Sequence, residues 1–443
     1  MFSSVTASLA RRAAAASSSS SSLSSSSAAA CACAAASAVS KHSVSSRHIA
    51  RAFSSLYGWG KGGSGQIGEV QEEGVVSNKI YDAPVWSPAA INGVQGSVSS
   101  VSAGDIHTLF IENGSLYGLG TNKKSVLGGA CAEGQKVDLP TRIAVEGSED
   151  LRFKQCLASN VYSAALSEDG DVYTWGFGGD MSKGVGCLGH GSKDLVKSPQ
   201  KVNIAGGDES VRFVQIAGGK KHMLALGEDG EVWSWGNGAY GKLGNSSARD
   251  QREPFPIDYF LDQDITITEI ACGESHSLAV SADGDLYVWG RNMKGQLGVG
   301  GGLSMDVYAM ESAPTVVDVG GRTVLHASGG VSHTCAVVDG GEVYMWGMGT
   351  WTEPHRLSVL EQHNIVATAS GKNYSAAISD VGDLFTWGKG VTARSAGVLG
   401  HGDSGRYVQP ELVRSLHDAR TSVKEVACGS THAVAASGTP ALR

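Results

Sequence analysis

Apolar positions along this chain fall in short alternating runs broken by glycine-bearing turns. In the clearest unit, Met223-Leu224-Ala225-Leu226 and Glu231-Val232-Trp233-Ser234-Trp235 flank Asp229-Gly230. Period-two alternation on both sides of Asp-Gly predicts a β-hairpin, and a type I′ turn there needs positive φ at both central residues. The same turn is expected at Asp169-Gly170 and Asp283-Gly284, with Asn113-Gly114 and Gly340-Gly341 as equivalents. Most hairpins are preceded by small–Gly–x–x–His and end in Trp-Gly. One copy runs from Ala217-Gly218-Gly219-Lys220-Lys221-His222 to Trp235-Gly236, another from Ala271-Cys272-Gly273-Glu274-Ser275-His276 to Trp289-Gly290.

The Trp-Gly step closes at Gly60, Gly120, Gly176, Gly236, Gly290, Gly347 and Gly388, so the intervals are 60, 56, 60, 54, 57 and 41 residues. Proline supplies an independent count of seven. Pro88, Pro140, Pro199, Pro254, Pro314, Pro354 and Pro410 each stand three residues before an aliphatic side chain. Lacking a backbone donor, proline suits the start of a strand or a sheet edge. After Trp-Gly, most units carry a loop ending Gly-x-Leu/Ile-Gly, as in Gly241-Lys242-Leu243-Gly244. Repeats of this length, built only of short strands and tight turns, predict an all-β fold, a seven-bladed β-propeller. The repeat opens with a lone second half, Leu56-Tyr57-Gly58-Trp59-Gly60, and closes with a lone first half, Val426 to Ala433. The two halves are expected to complete the last blade and leave no free sheet edge between first and last units.

These motifs resemble the regulator of chromosome condensation repeat family, seven-bladed β-propellers, over roughly Leu56 to Ser437. The family archetype is a nucleotide exchange factor for a small GTPase on chromatin, using a wedge protruding from one blade and a basic tail. No blade here is long enough to hold an obvious wedge. A plant UV-B photoreceptor of the family carries tryptophans inside the Gly-x-x-His segment. Here those segments read Gly-Asp-Ile-His, Gly-Lys-Lys-His, Gly-Glu-Ser-His, Gly-Val-Ser-His and Gly-Ser-Thr-His, which argues against light sensing by that route.

Residues 1–53 carry Arg11, Arg12, Lys41, Arg47 and Arg51, no acidic residue, and a long Ser/Ala tract. That composition predicts a disordered organellar transit peptide, mitochondrial by the arginine spacing near its end, with a chloroplast address left open by the serine content. Cleavage is expected after Phe53, because Arg51 stands two residues before the cut, leaving a propeller over 54–443. Removal of the leader leaves 30 basic and 43 acidic residues, a net charge of −13. Bulk charge of that sign argues against direct nucleic-acid binding. Six cysteines follow the leader, none in a Cys-x-x-Cys pair, and no His/Cys spacing suits zinc, so no metal or other cofactor is expected. No apolar run is long enough for a membrane span.

Several patterns imitate chemistry. His107, His222, His276, His333 and His432 recur once per unit, with Tyr162 and Tyr374 in the other two, and are expected to pack and hydrogen-bond at one repeated position. Trp59, Trp175, Trp235, Trp289, Trp346 and Trp387 are expected to cover junctions between blades, with Leu119 in the seventh place. Gly58-Trp59-Gly60-Lys61-Gly62-Gly63 matches a dinucleotide fingerprint by letters but leads into no helix. Gly236 to Lys242 lacks the Ser or Thr that would meet magnesium, and Asp169-Gly170-Asp171 lacks the further carboxylates of a calcium loop. No nucleophile–base pair stands out, so the chain reads as non-catalytic.

Function is expected where the repeat breaks. The 41-residue unit has lost its Gly-x-Leu-Gly loop and carries Met348-Gly349-Thr350-Trp351-Thr352-Glu353-Pro354-His355-Arg356 instead. A shortened loop predicts a notch in the rim, with Trp351, His355 and Arg356 as candidate partner-binding residues and Trp86 as a further off-pattern aromatic. Ser159-Asn160-Val161-Tyr162 lacks the usual glycine. By resemblance, the chain is expected to be a mitochondrial protein-interaction scaffold, in the matrix or on the matrix side of the inner membrane. Its partner would be a large assembly: ribosome, respiratory complex or RNA-processing machinery. The alternative is an exchange factor for a small mitochondrial GTPase.

Overall fold

A computed structural model describes residues 55–70, 84–148, 150–180, 184–192, 194–204, 210–300, 309–389 and 396–438. The expected leader and its cut site lie outside them. Seven four-stranded antiparallel sheets follow one another around a ring. Blades I to VI span 98–142, 153–201, 213–256, 267–317, 324–356 and 365–412. Blade VII joins Val423–Cys428 and His432–Ser437 to Ser55–Lys61 and Pro84–Ala90. Its closing register runs from Ser55 opposite Ser437 to Gly60 opposite His432. The first strand of every blade touches the first strand of both neighbours, so these seven strands line a central channel.

The hairpin turns differ from the expected type I′. Only Asn113-Gly114 joins its strands as a two-residue turn with both φ positive, at 50° and 78°. At Asp169-Gly170, Gly170 N–H donates to Ser167 O and Ser167 N–H to Asp171 O, and φ is positive only at Gly170. This is a type I turn followed by a left-handed glycine. Three loop residues let Asp169 keep an ordinary φ, where an aspartate forced to positive φ would be strained. Asp229-Gly230 and Asp283-Gly284 do the same.

The seven prolines all lie within the outermost strand, on the edge as expected. Each sits in an interruption of register opposite the Trp-Gly step; around Pro254, the pairing jumps from Ser234–Phe255 to Gly236–Gln251. The missing donor thus falls where the ladder is already broken.

Core packing is shared between neighbours. Trp59, Trp175, Trp235, Trp289 and Trp346 are fully buried and Trp387 nearly so. One cluster joins Tyr162 and Leu166 of blade II to Ile216, Met223 and Trp235 of blade III. The loop after the third strand of one blade, Gly-x-Leu-Gly or Ser125-Val126-Leu127-Gly128 in blade I, caps the indole of the next: Trp175 Nε1 donates to Val126 O at 2.9 Å, Trp289 to Lys242 O at 2.9 Å and Trp346 to Gln296 O at 3.0 Å. A buried indole needs that acceptor.

Topology sorts the surface into two faces. Gly-x-x-His segments and the loops after Trp-Gly share one face, the loop face; hairpin turns and blade-to-blade connections share the other, the turn face. Acid concentrates on the turn face. Blades II to IV present Glu168-Asp169-Gly170-Asp171, Glu228-Asp229-Gly230-Glu231 and Asp283-Gly284-Asp285 side by side. Arg152 pairs with Glu168 at 3.1 Å and Lys201 with Asp171 at 2.8 Å, partly offsetting that charge.

Candidate functional site

The repeated histidines open the second strand of their blades, wholly buried. Each reaches forward across a seam. Nε2 lies 2.9 Å from Ser163 Oγ for His107, 3.0 Å from Ser277 Oγ for His222 and 3.0 Å from Thr334 Oγ1 for His276. It lies 2.8 Å from Ser375 Oγ for His333 and 2.8 Å from Thr108 Oγ1 for His432. The hydroxyls of Thr108, Ser163, Ser277 and Thr334 donate to loop carbonyls at 2.6–2.8 Å. A hydroxyl that has given its proton away must accept, so these imidazoles donate from Nε2–H. In the remaining seams Tyr162 Oη donates to His222 O at 2.8 Å and Tyr374 Oη to His432 O at 2.6 Å. Seven links close the circle.

The opposite ring edge explains a glycine. Nδ1 of all five histidines is buried without a hydrogen-bond partner. Gly273 packs so closely on this edge of His276 that an added Cβ would overlap it, and Gly219 stands likewise on His222. Burial holds the imidazoles neutral, with pKa about 3 at His107, His276 and His432, about 4 at His333, and well below the ordinary value at His222. A hydroxyl–imidazole pair sealed from solvent offers no approach to a substrate, so these pairs hold blades together. Where Ser159 replaces the glycine, its Oγ donates to Gly219 O at 2.7 Å, tightening the same seam.

A second set of clips crosses the channel wall. Gln155 holds Ile216 by both amide atoms, Nε2 donating to O at 2.9 Å and Oε1 accepting from N–H at 2.8 Å. Gln215 treats Ile270 alike. Glu269 and Glu425 take the glutamine's place in blades IV and VII and accept from Ala327 N–H and Val101 N–H, both at 3.3 Å. His326 Nδ1 stands 2.8 Å from Glu269 Oε1; although burial lowers its pKa, that carboxylate raises it to about 9. Burial pushes Glu425 up to about 7 against the Val101 hydrogen bond. At the loop face the channel opens into a cavity of about 310 Å³ bordered by every blade, its charges mixed: Asp105, Lys220, Glu274 and Lys372.

The clearest departure from regularity lies at blade V, as the 41-residue interval suggests. Without a Gly-x-Leu-Gly loop there is no carbonyl for the next indole, and Trp387 Nε1 donates to Met345 Sδ at 3.3 Å instead. Met348 and Trp351 pack into the space. Trp351 is half-buried and joins the clusters on both sides of its blade, while its other side stacks on the exposed His355, ring centroids 4.5 Å apart and planes 8° from parallel. Arg356 is exposed but tied to Glu342 at 2.9 Å and Glu361 at 3.6 Å, at the turn-face end of the strand. Trp86 lies on the outermost strand of blade VII, with blade VI between it and Trp351, so the structure does not bring them together. The Trp351–His355 stack is the candidate; Arg356 and Trp86 stand apart from it. Among the described residues no cluster of three or more His, Cys, Asp or Glu side chains could hold a metal ion, and no helix is long and apolar enough to cross a membrane.

Sequence reasoning missed the seam code, although its signal is legible. Wherever one blade carries His, the residue after the matching position of the next blade is Ser or Thr; wherever it carries Tyr, that residue is Met223 or Ala433.

The family model described as RCC1-like domain matches residues 55–435. The ultraviolet-B receptor UVR8 of Arabidopsis thaliana is 30% identical over 296 residues, 67% of this chain and 61% of that protein. The RCC1 domain-containing protein RUG3, mitochondrial, of the same plant is 29% identical over 301 residues, 66% of this chain and 61% of that protein. The human E3 ubiquitin-protein ligase HERC2 is 27% identical over 86% of this chain but only 8% of its own length. The chain thus spans about three fifths, or far less, of these relatives. Yeast Prp20p superposes with a TM-score of 0.74 at 21% identity, covering 89% of this chain and 94% of that one. Human WBSCR16 does so with 0.72 at 22%, covering 87% and 98%. At such identities these structures bear on the fold alone.

Proposed function

The chain belongs to the RCC1-like domain family, and from that premise we propose that it is a non-catalytic mitochondrial protein-interaction scaffold, bound to a large assembly or assisting its construction. The carrying observation is that the residues most like catalytic groups are consumed by the seven-link circle, while blade V forgoes a loop and presents the Trp351–His355 stack at the rim. A rigid ring with variable loops is suited to holding partners. The basic, acid-free leader and the likeness to a relative named as mitochondrial support the matrix or the matrix side of the inner membrane as its place. A ribosome, a respiratory complex or RNA-processing machinery are the assemblies proposed, reached through protein contacts.

A second reading has one observation behind it. Prp20p is described with binding properties to Gsp1p and histones, and a small GTPase is the corresponding partner on the exchange-factor reading of this chain. The two readings separate in one experiment: native sizing of the endogenous protein from gently solubilised mitochondria, with mass spectrometry of what co-migrates. Co-migration with ribosomal or respiratory subunits supports the scaffold. Migration near its own mass, with a GTPase retained only after nucleotide depletion, overturns it in favour of exchange.

A further inference from the structure

The turn face is not uniform. In blades I to IV the hairpin tips are Asn113, Asp169, Asp229 and Asp283; in blades V and VI they are Gly340 and Val381. The second residue of the channel-lining strand follows the same division. It is Ser99, Lys154 and Thr268 in blades I, II and IV, with the half-buried Val214 as the exception in blade III, then Leu325 and Val366, 57% and 51% exposed. Val381, and Val359 on the connection from blade V to blade VI, are 45% and 44% exposed. Folding does not require these choices, because the neighbouring residues Val324, Leu360 and Ile365 supply the buried contacts.

The apolar sector abuts the acidic one. Val324 N–H donates to Gly284 O at 2.9 Å, so the acidic tip of blade IV sits directly beside the strand carrying Leu325. Ile365 N–H donates to Gly341 O, which sets the blade V turn beside Val366, its tip Gly340 flanked by Asp339 and Glu342, both of which pair with Arg322. On the far side the charge reverses: Lys424, Arg414 and Arg420 lie on or beside the blade VI–VII connection, with His417 held by Asp383 at 2.9 Å. Arg322, at the start of blade V, is engaged by Asp339 and Glu342. The exposed apolar positions lie among carboxylates that are engaged locally, Asp339 and Glu342 by Arg322, Asp380 by Asn364 and Asp383 by His417. They also lie between the acidic turns of blades II to IV on one side and the cations of the blade VI–VII connection on the other, which gives the surface a direction.

We propose that the turn face of blades V and VI is a docking surface for a basic amphipathic polypeptide segment of a partner protein. Its apolar side chains would cover Leu325, Val359, Val366 and Val381, and its lysines or arginines would reach the acidic turns of blades II to IV. Charge complementarity selects the occupant, since the flanking acidic turns would repel an acidic segment and leave a neutral one without orientation. The inference rests on the protein-binding reading but uses the opposite face from the channel mouth and none of the blade V loop.

The test uses purified propeller and three fluorescein-labelled synthetic peptides in anisotropy titrations: one of alternating lysine and leucine pairs, the same design with glutamate for lysine, and polylysine. The lysine–leucine peptide should bind best, lose affinity as salt rises, and bind about tenfold more weakly to Leu325→Ser/Val366→Ser. Both substituted residues are exposed, so thermal unfolding of the double variant should match wild type, and a Val359→Ser/Val381→Ser variant serves should it not. Equal binding to wild type and variants, or equal binding of polylysine, overturns the proposal. Salt-independent dimerisation of the propeller that the same substitutions abolish also overturns it, assigning the face to a second copy. Purified components answer this even where native sizing fails to find the assembly.

Discussion

His432 donates from Nε2 to Thr108 Oγ1 across 2.8 Å, although 324 residues separate them in the chain. The hydroxyl in turn donates to Gln66 O at 2.6 Å. Last blade, first blade and the loop of the closing strand therefore meet in one buried contact. Thr108→Val would strand the His432 N–H and cost about 1–3 kcal/mol in urea denaturation. The tyrosine seams suggest the repair. Thr108→Ala combined with His432→Tyr copies the Tyr374–Ala433 pattern and should be less destabilising than the sum of the two single changes. Full additivity would show that the seam code carries no coupling.

The five sealed histidines set an acid limit. Their folded pKa values lie below the ordinary 6.5, so the folded ring refuses protons that the unfolded chain accepts. Stability is whole above pH 6.5 and is lost as pH falls toward 4 and 3. Each imidazole then removes about 1.4 kcal/mol per pH unit. Urea midpoints measured from pH 7 to 5 should fall steeply, and a flat profile would count against neutral, buried histidines.

Glu425 acts with the opposite sign. Its folded pKa is raised to about 7 from 4.5, so its favourable contribution is present below 4.5 and lost as pH rises toward 7. Above that, the blade VII–I clip holds a buried carboxylate where Gln155 and Gln215 hold amides. Glu425→Gln should add about 1–3 kcal/mol at pH 8 and little at pH 5, read from the same urea curves. Destabilisation at both pH values would mean that the carboxylate is needed by something other than the clip.

The tryptophans divide by burial. Trp289→Ala removes a fully buried indole from a blade junction and should cost about 3–5 kcal/mol. Trp351 is half-buried with one side on His355, so Trp351→Ala should cost about 1–2 kcal/mol. If the stack is a docking point, capture of the native partner should fall further than this loss of stability explains. Capture that simply follows stability across both variants would reduce Trp351 to a filler.

The sequence by itself determined the blade count, the edge position of the prolines and the closing pair of half-repeats, because a repeated motif states its fold many times over. It also contained the alternation of His with Ser or Thr and of Tyr with Met223 or Ala433, which becomes readable once the seam is known. Only the tertiary structure decided which residues meet across seams, since forward contacts such as His107 to Ser163 depend on how sheets pack, not on local propensity. It made the Asp-Gly turns three-residue loops, because a hydrogen-bonded register fixes how many residues must bridge the strands. It packed one side of Trp351 against the core and left the residue half-buried, the consequence of a missing loop whose space something had to fill. Leu325, Val366, Val359 and Val381 are scattered apolar letters in the chain; the ring gathers them onto one face beside the acidic turns.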